Sequence, residues 1–155
     1  MKPGIQKALR RLRNRRGNVM IEFAIGSGLL LAAFTGTFQF GYTFLQYNNL
    51  ENAVARGARY ASLVPYDSAT NKPSAAFQAA VQNMVLYGTP TAGASPVLPG
   101  LTAGNVNLTV TFTNNIPAVM TVSISGYTID SIFSKNTLKT KPQVAYAYQG
   151  VWSPI

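Results

Sequence analysis

Cysteine and histidine are both absent from the 155 residues, and acids number only four against thirteen Lys and Arg. Without cysteine there is neither a disulfide framework nor a thiolate metal site. Without histidine or cysteine, Ser-His-Asp and Cys-His nucleophile systems and the usual zinc ligand sets are unavailable. Beyond the first apolar run the acids are Glu51, Asp67 and Asp130, each in a separate segment, so nothing points to a carboxylate pair for acid–base chemistry. No glycine-rich loop ends in Gly-Lys to cradle a phosphate. The expectation is a protein that is not an enzyme and holds no metal or cofactor.

Charge is missing again in the middle of the chain. After Glu22 the next charged residue is Glu51, and the uncharged window of residues 23–50 exceeds the roughly 20 residues that carry a helix across a bilayer. Hydrophobic residues make up 47% of the chain and charged ones only 11%, with the apolar excess concentrated in this region. Seven basic residues precede it (Lys2, Lys7, Arg10, Arg11, Arg13, Arg15 and Arg16) with no acid among them, so the net charge of +9 belongs mainly to this leader. The positive-inside rule makes it a cytoplasmic anchor. Ile5, Leu9 and Leu12 also allow an amphipathic turn on an anionic membrane surface. Nucleic acid is not an expected partner, because no aromatic residue interleaves the arginines and no binding fold follows. A secretory signal peptide is excluded by the length of the apolar run, which continues into Phe38, Phe40, Tyr42 and Phe44.

Within that frame Glu22 stands out. A carboxylate in hydrocarbon is unfavourable by up to about 3 kcal/mol at mid-membrane and by less near an edge, and an ionisable group there is a functional suspect that needs a partner. Cleavage after Gly17 would supply one: the freed α-amine of Asn18 lies about one helical turn from Glu22, in its own helix or a neighbour's. Ala33, Thr37 and Gly41 recur every four residues as a stripe of small side chains suited to close helix packing. Gly26, Ser27 and Gly28 are candidates for a bend or partial unwinding, and Tyr42 and Tyr47 suit the outer membrane interface.

The basic leader, Gly17, Glu22 five residues later, Phe23 and the long apolar helix resemble a type IV prepilin-like processing site, in the variant of tight-adherence (Flp) pilus systems. The later segment Asn52-Ala53-Val54-Ala55-Arg56-Gly57-Ala58-Arg59-Tyr60-Ala61 is similar to the one that follows the membrane helix in TadE-like proteins, with Arg56 standing where that family often has an acid. The resemblance covers about residues 15–63. It implies a pseudopilin-like membrane component of a tight-adherence pilus or related secretion assembly. It further implies cleavage between Gly17 and Asn18 by a prepilin-type peptidase, assembly through Glu22 and Phe23, and contacts with other pilins, pseudopilins and pilus assembly proteins in the cytoplasmic (inner) membrane. A reading from a different class stays open beside it, an uncleaved, membrane-anchored extracytoplasmic binding module.

Three segments are expected: a basic leader at 1–17, a transmembrane helix at 18–47 and an extracytoplasmic α+β domain at 48–155. Residues 48–63 are helical in pattern, with Leu50, Val54, Ala58 and Ala61 on one side. Asn48 and Glu51 form a capping pair should the helix restart there. Asp67 to Asn71 resembles an oxygen-ligand loop but lacks the glycine and terminal glutamate of a calcium site. Ser74 caps a second helix with Phe77, Val81, Met84 and Val85 on its apolar face, ending near Gly88. Residues 89–104 read as an exposed loop. A period of two then marks strands at 105–112, around Met120, Val122 and Ile124, and at 143–149, with a turn at 114–117 and a crossing segment or short helix at 127–133. The Asn107-Leu108-Thr109 sequon reflects strand composition.

Overall fold

The computed structural model describes the backbone of residues 3–131 and 135–153, and side chains from Gly17 onward within those limits. The chain divides into two compact units, Met1–Gly41 and Tyr42–Ile155. The leader side chains, Ile5, Leu9 and Leu12 among them, and Phe133 lie outside the described residues.

Helix α1 runs Pro3–Leu63. In the first unit its apolar side chains are exposed, Phe23, Leu29, Phe34 and Phe40 each by about three-quarters. Gly26 and Gly28 do not unwind it: Ser27 Oγ donates to the Ala24 carbonyl at 3.0 Å, a bond made inside an unbroken helix. Asn48 and Glu51 do not cap a new helix, since both are mid-helical.

In the second unit the helix carries Leu50, Ala53, Val54, Ala58 and Ala61 into the core, all fully buried at three- and four-residue spacing. Helix α2, Ala75–Tyr87, starts at Ser74, whose Oγ accepts from the Phe77 N–H, and stops at Gly88 in the left-handed conformation. Its buried face is Phe77, Val81, Val85 and Leu86. Leu86 thus takes the place expected of Met84, which is only half-buried. Gly57 is the contact point of the two helices: a Cβ there would overlap Val85 Cγ2.

The segment after α2 is the exposed loop that its Pro and Gly content predicts over most of its length, but it is anchored at a few points. Val97 N–H donates to the Leu86 carbonyl at 2.7 Å, and Leu98 and Leu101 are buried, so isolated apolar residues fasten it to the core. A short 3-10 turn, Ala103–Asn105, leads into β1, Val106–Thr113, which pairs antiparallel with β2, Ile116–Ile124. Asn114 and Asn115 both have positive φ, 54° and 61°, so the turn needs only these two residues. Ile116 and Pro117 already belong to β2, with a register shift between Thr111 and Phe112. Val106 and Val110 on β1, with Met120, Val122 and Ile124 on β2, face the core, while Asn and Thr face out. The region expected to cross over or coil is instead a second, two-stranded sheet, β3 (Thr128–Asp130) with β4 (Lys135–Thr137). Finally β5, Gln143–Ala147, pairs antiparallel with β2, giving the order β1-β2-β5. The architecture is α+β: a long apolar N-terminal helix, then a helix and antiparallel sheets.

Residues 148–153 form a strap along the C-terminal end of α1. A helix C-terminus leaves carbonyls without partners, and here distant residues supply them. Ser62 O accepts from the Gln149 N–H at 2.8 Å, and Val64 O accepts from the Tyr148 hydroxyl at 3.1 Å. Tyr66 exchanges backbone bonds with Val151 and Ser153 at 3.1 and 3.0 Å. Gly150 suits this path, since a Cβ there would stand 2.6 Å from the Val64 carbonyl oxygen.

Candidate functional site

Gly17 and Asn18 are exposed, and among the described residues nothing lies within 4 Å of a Cβ placed on Gly17. Packing inside the chain therefore gives no reason for glycine there. Asn18 Nδ2 donates to Glu22 Oε1 at 3.2 Å. One turn of helix brings the two groups together, so Glu22 already accepts a bond from the residue that cleavage would make N-terminal. Phe23 is 76% exposed beside it.

Ala33, Thr37 and Gly41 share one helix face and are exposed. The Thr37 hydroxyl is satisfied within the helix, donating to the Ala33 carbonyl at 3.0 Å, so the stripe presents methyl and methylene surface. Such a surface permits close helix approach in lipid without an unsatisfied polar group.

The later motif splits by burial. Gly57 and Ala58 are buried, whereas Arg56 and Arg59 are exposed. Arg56 Nη1 would lie 3.9 Å from a Cβ at Gly88, beside the C-terminus of α2, which has no basic residue in its own last turn. A guanidinium there faces the negative end of the helix dipole. At the other end of α2, Ser74 Oγ donates to Asp67 Oδ2, leaving Oδ1 buried without a partner. Asp67 thus serves the cap of α2, and no cluster of metal-ligating side chains forms among the described residues.

An aromatic knot around Tyr66 was not legible in the sequence. Tyr66 is fully buried, its hydroxyl donating to the Thr70 carbonyl at 2.7 Å. Its ring meets Phe77 edge-on at 5.2 Å, Phe112 at 6.0 Å and Tyr148 at 6.4 Å, and Trp152 packs on Phe112. Desolvation raises the pKa of Tyr66 and of Tyr148 above the usual phenol value. Trp152 Nε1 closes the strap by donating to the Ser68 carbonyl at 3.0 Å. The only sequence signal for this knot is the density of aromatics in the last ten residues.

Such an arrangement fits a single-pass membrane protein: among the described residues one helix is long and apolar enough to cross a membrane, and a small folded α+β unit follows it. Residues 17–59 match the family model of TadE-like proteins. No curated protein and no solved structure shows significant similarity to the chain.

Proposed function

We propose that the chain is a pseudopilin-like membrane component of a tight-adherence (Flp-type) pilus or related secretion assembly. The observation that carries this reading is the TadE-like match over residues 17–59, which begins at Gly17 and runs through Arg59. The exposed apolar helix and the polar pair at its start support it. In this reading the leader lies in the cytoplasm and a prepilin-type peptidase cuts between Gly17 and Asn18. Residues 18–47 span the inner membrane, and residues 48–155 are displayed outside the cytoplasm. The chain is a building block and a protease substrate, not a catalyst. Its partners are the bilayer, the peptidase, other pilins or pseudopilins and the assembly proteins.

Processing tests it directly. In its native host the mature protein is expected to begin at Asn18, read by intact mass, and Gly17→Leu is expected to accumulate as full-length precursor. Wild-type protein that keeps Met1–Gly17 while the peptidase is expressed would favour an uncleaved anchored binding module.

Glu22→Ala tests assembly separately from anchoring. Alanine is easier to insert than glutamate, so the membrane level is expected to hold. The Asn18 amine, left without its carboxylate in apolar surroundings, costs about 1–3 kcal/mol per contact. Crosslinking to pilus partners and surface fibre are expected to fall, with Glu22→Gln intermediate because it keeps a hydrogen-bond acceptor. Unchanged crosslinking in Glu22→Ala would reduce the residue to an edge group facing lipid headgroups.

A further inference from the structure

The three-stranded sheet has two edges, β1 and β5, and they are finished differently. On the β5 side the Tyr148 N–H donates to the Ala118 carbonyl at 2.8 Å, and the Ile124 N–H donates to the Pro142 carbonyl at 3.1 Å. Antiparallel pairing alternates, so the even-numbered residues of β5 bond to β2. The N–H and C=O groups of Gln143, Ala145 and Ala147 point the other way and have no partner among the described residues. All three residues are exposed. This free stretch is bounded by Pro142, which has no N–H, and by Gln149, whose N–H is taken by the Ser62 carbonyl. At the β1 edge the outward groups belong to Val106, Leu108 and Val110. There the Gln82 side chain of α2 donates to the Val106 carbonyl at 3.3 Å, and Val106 and Val110 are buried.

An unpaired edge is a template for another strand, and proteins guard such edges with Lys, Pro, bulges or a covering element. Between Pro142 and Gln149 there is no charge, no further proline and no shift of register. The stretch also matches itself. Set antiparallel to a second copy about Ala145, it brings Gln143 opposite Ala147, and each outward N–H meets an outward carbonyl. Val144 and Tyr146, which pair with Val122 and Met120 on the core side of the sheet, then fall opposite one another twice. Val144 is half-buried and Tyr146 is 41% exposed. Each ring gains a β-branched neighbour on the facing strand, a favourable cross-strand pair. On the other side of the sheet Ala145 and Ala147 are too small to obstruct. Lys139 and Lys141, the nearest charges in sequence, go to opposite ends of such a pair.

We propose that the free edge of β5 pairs with β5 of a second copy of this chain, antiparallel about Ala145, joining two three-stranded sheets into one. The contact depends on the sheet alone, not on cleavage after Gly17 or on membrane insertion. A precursor that keeps residues 1–17 and still pairs would count against the processing reading without touching this one.

Because the chain lacks cysteine, introduced cysteines read the register directly. Full-length Ala145→Cys, Ala147→Cys and Thr109→Cys, the last on exposed β1 surface, are oxidised with copper phenanthroline in membranes of the native host. In the proposed pair the two 145 Cα atoms stand about 5.5 Å apart, within disulfide reach. The two 147 positions are about 14 Å apart, beyond it. Ala145→Cys is therefore expected to give at least about fivefold more disulfide-linked homodimer than either of the others. The double variant Gln143→Cys with Ala147→Cys is expected to crosslink as well, since those positions face each other between copies. Adding Ala145→Lys to it sets like charges directly opposite and is expected to cut its dimer to at most about a fifth, with the Trp152 melting midpoint in detergent unchanged. Co-expressing that chain with its Ala145→Glu counterpart is expected to restore the dimer. Ala145→Cys that crosslinks no better than Thr109→Cys, or only to a protein of different mass, overturns the proposal. So does a dimer of the double variant that survives Ala145→Lys.

Discussion

Gly57→Leu is expected to abolish cooperative folding of the α+β unit. The position faces α2 so closely that a single methyl group would collide with Val85 Cγ2, while the Val81 carbonyl oxygen stands 3.6 Å away. A leucine brings three more carbons into the same space, and α2 cannot retreat without uncovering Phe77, Val81 and Val85. Overpacking one well-filled position costs about 1–3 kcal/mol and more when the backbone must move, against a total stability of about 5–15 kcal/mol. Gly57→Ala is the calibrated version. It gains about 1 kcal/mol of helix propensity and loses more to the clash, so a net loss of about 1–2 kcal/mol is expected. Adding Val85→Ala removes the colliding carbon and is expected to make the two changes less than additive. Trp152, the single tryptophan, packs on Phe112 and reports the unfolding transition of full-length protein in detergent. A Gly57→Leu protein melting like wild type would remove the helix contact from the account of this motif.

Tyr66→Ala is expected to be the most damaging truncation in the domain, at about 3–5 kcal/mol. The ring is fully buried and touches α2 through Phe77, the sheet through Phe112 and the strap through Tyr148. Removing it leaves a cavity where three parts of the fold meet, and none can close it alone. Tyr66→Phe keeps the ring and loses the hydroxyl with its bond to the Thr70 carbonyl, an expected cost of about 1 kcal/mol. The measurement is the midpoint of Trp152 fluorescence on heating, with Tyr66→Ala well below Tyr66→Phe. Equal midpoints would mean that the hydroxyl, not the packed ring, dominates.

Patterned segments could be read directly. The burial of Leu50, Val54, Ala58 and Ala61, the Ser74 cap with its stop at Gly88, and the inward row Met120, Val122 and Ile124 follow from local periodicity and capping chemistry. Apart from the exchange of Met84 for Leu86 on α2, the differences fall where periodicity carries no information. Leu98 and Leu101 are isolated apolar residues among prolines and glycines, and only the groove they enter makes them core. The pairing of β3 with β4 joins segments too short to show alternation. Tyr66 marks a helix end in the sequence, while its partners in the strap, Tyr148, Val151 and Ser153, lie more than eighty residues away.

Sequence alone determined the apolar helix and its charge asymmetry, the lone Glu22 one turn from Asn18, and the α+β order of residues 48–155. Each depends on spacing along one stretch of chain, where a period of 3.6 or 2 and a run of uncharged residues have direct physical meaning. Tertiary structure decided that Gly57 is a helix crossing, that Tyr66 is the centre of an aromatic knot, that residues 148–153 strap the end of α1, and that Ser131 meets Thr43. Those contacts join segments separated by tens of residues. Which of many chemically equivalent pairings forms depends on the whole core closing at once.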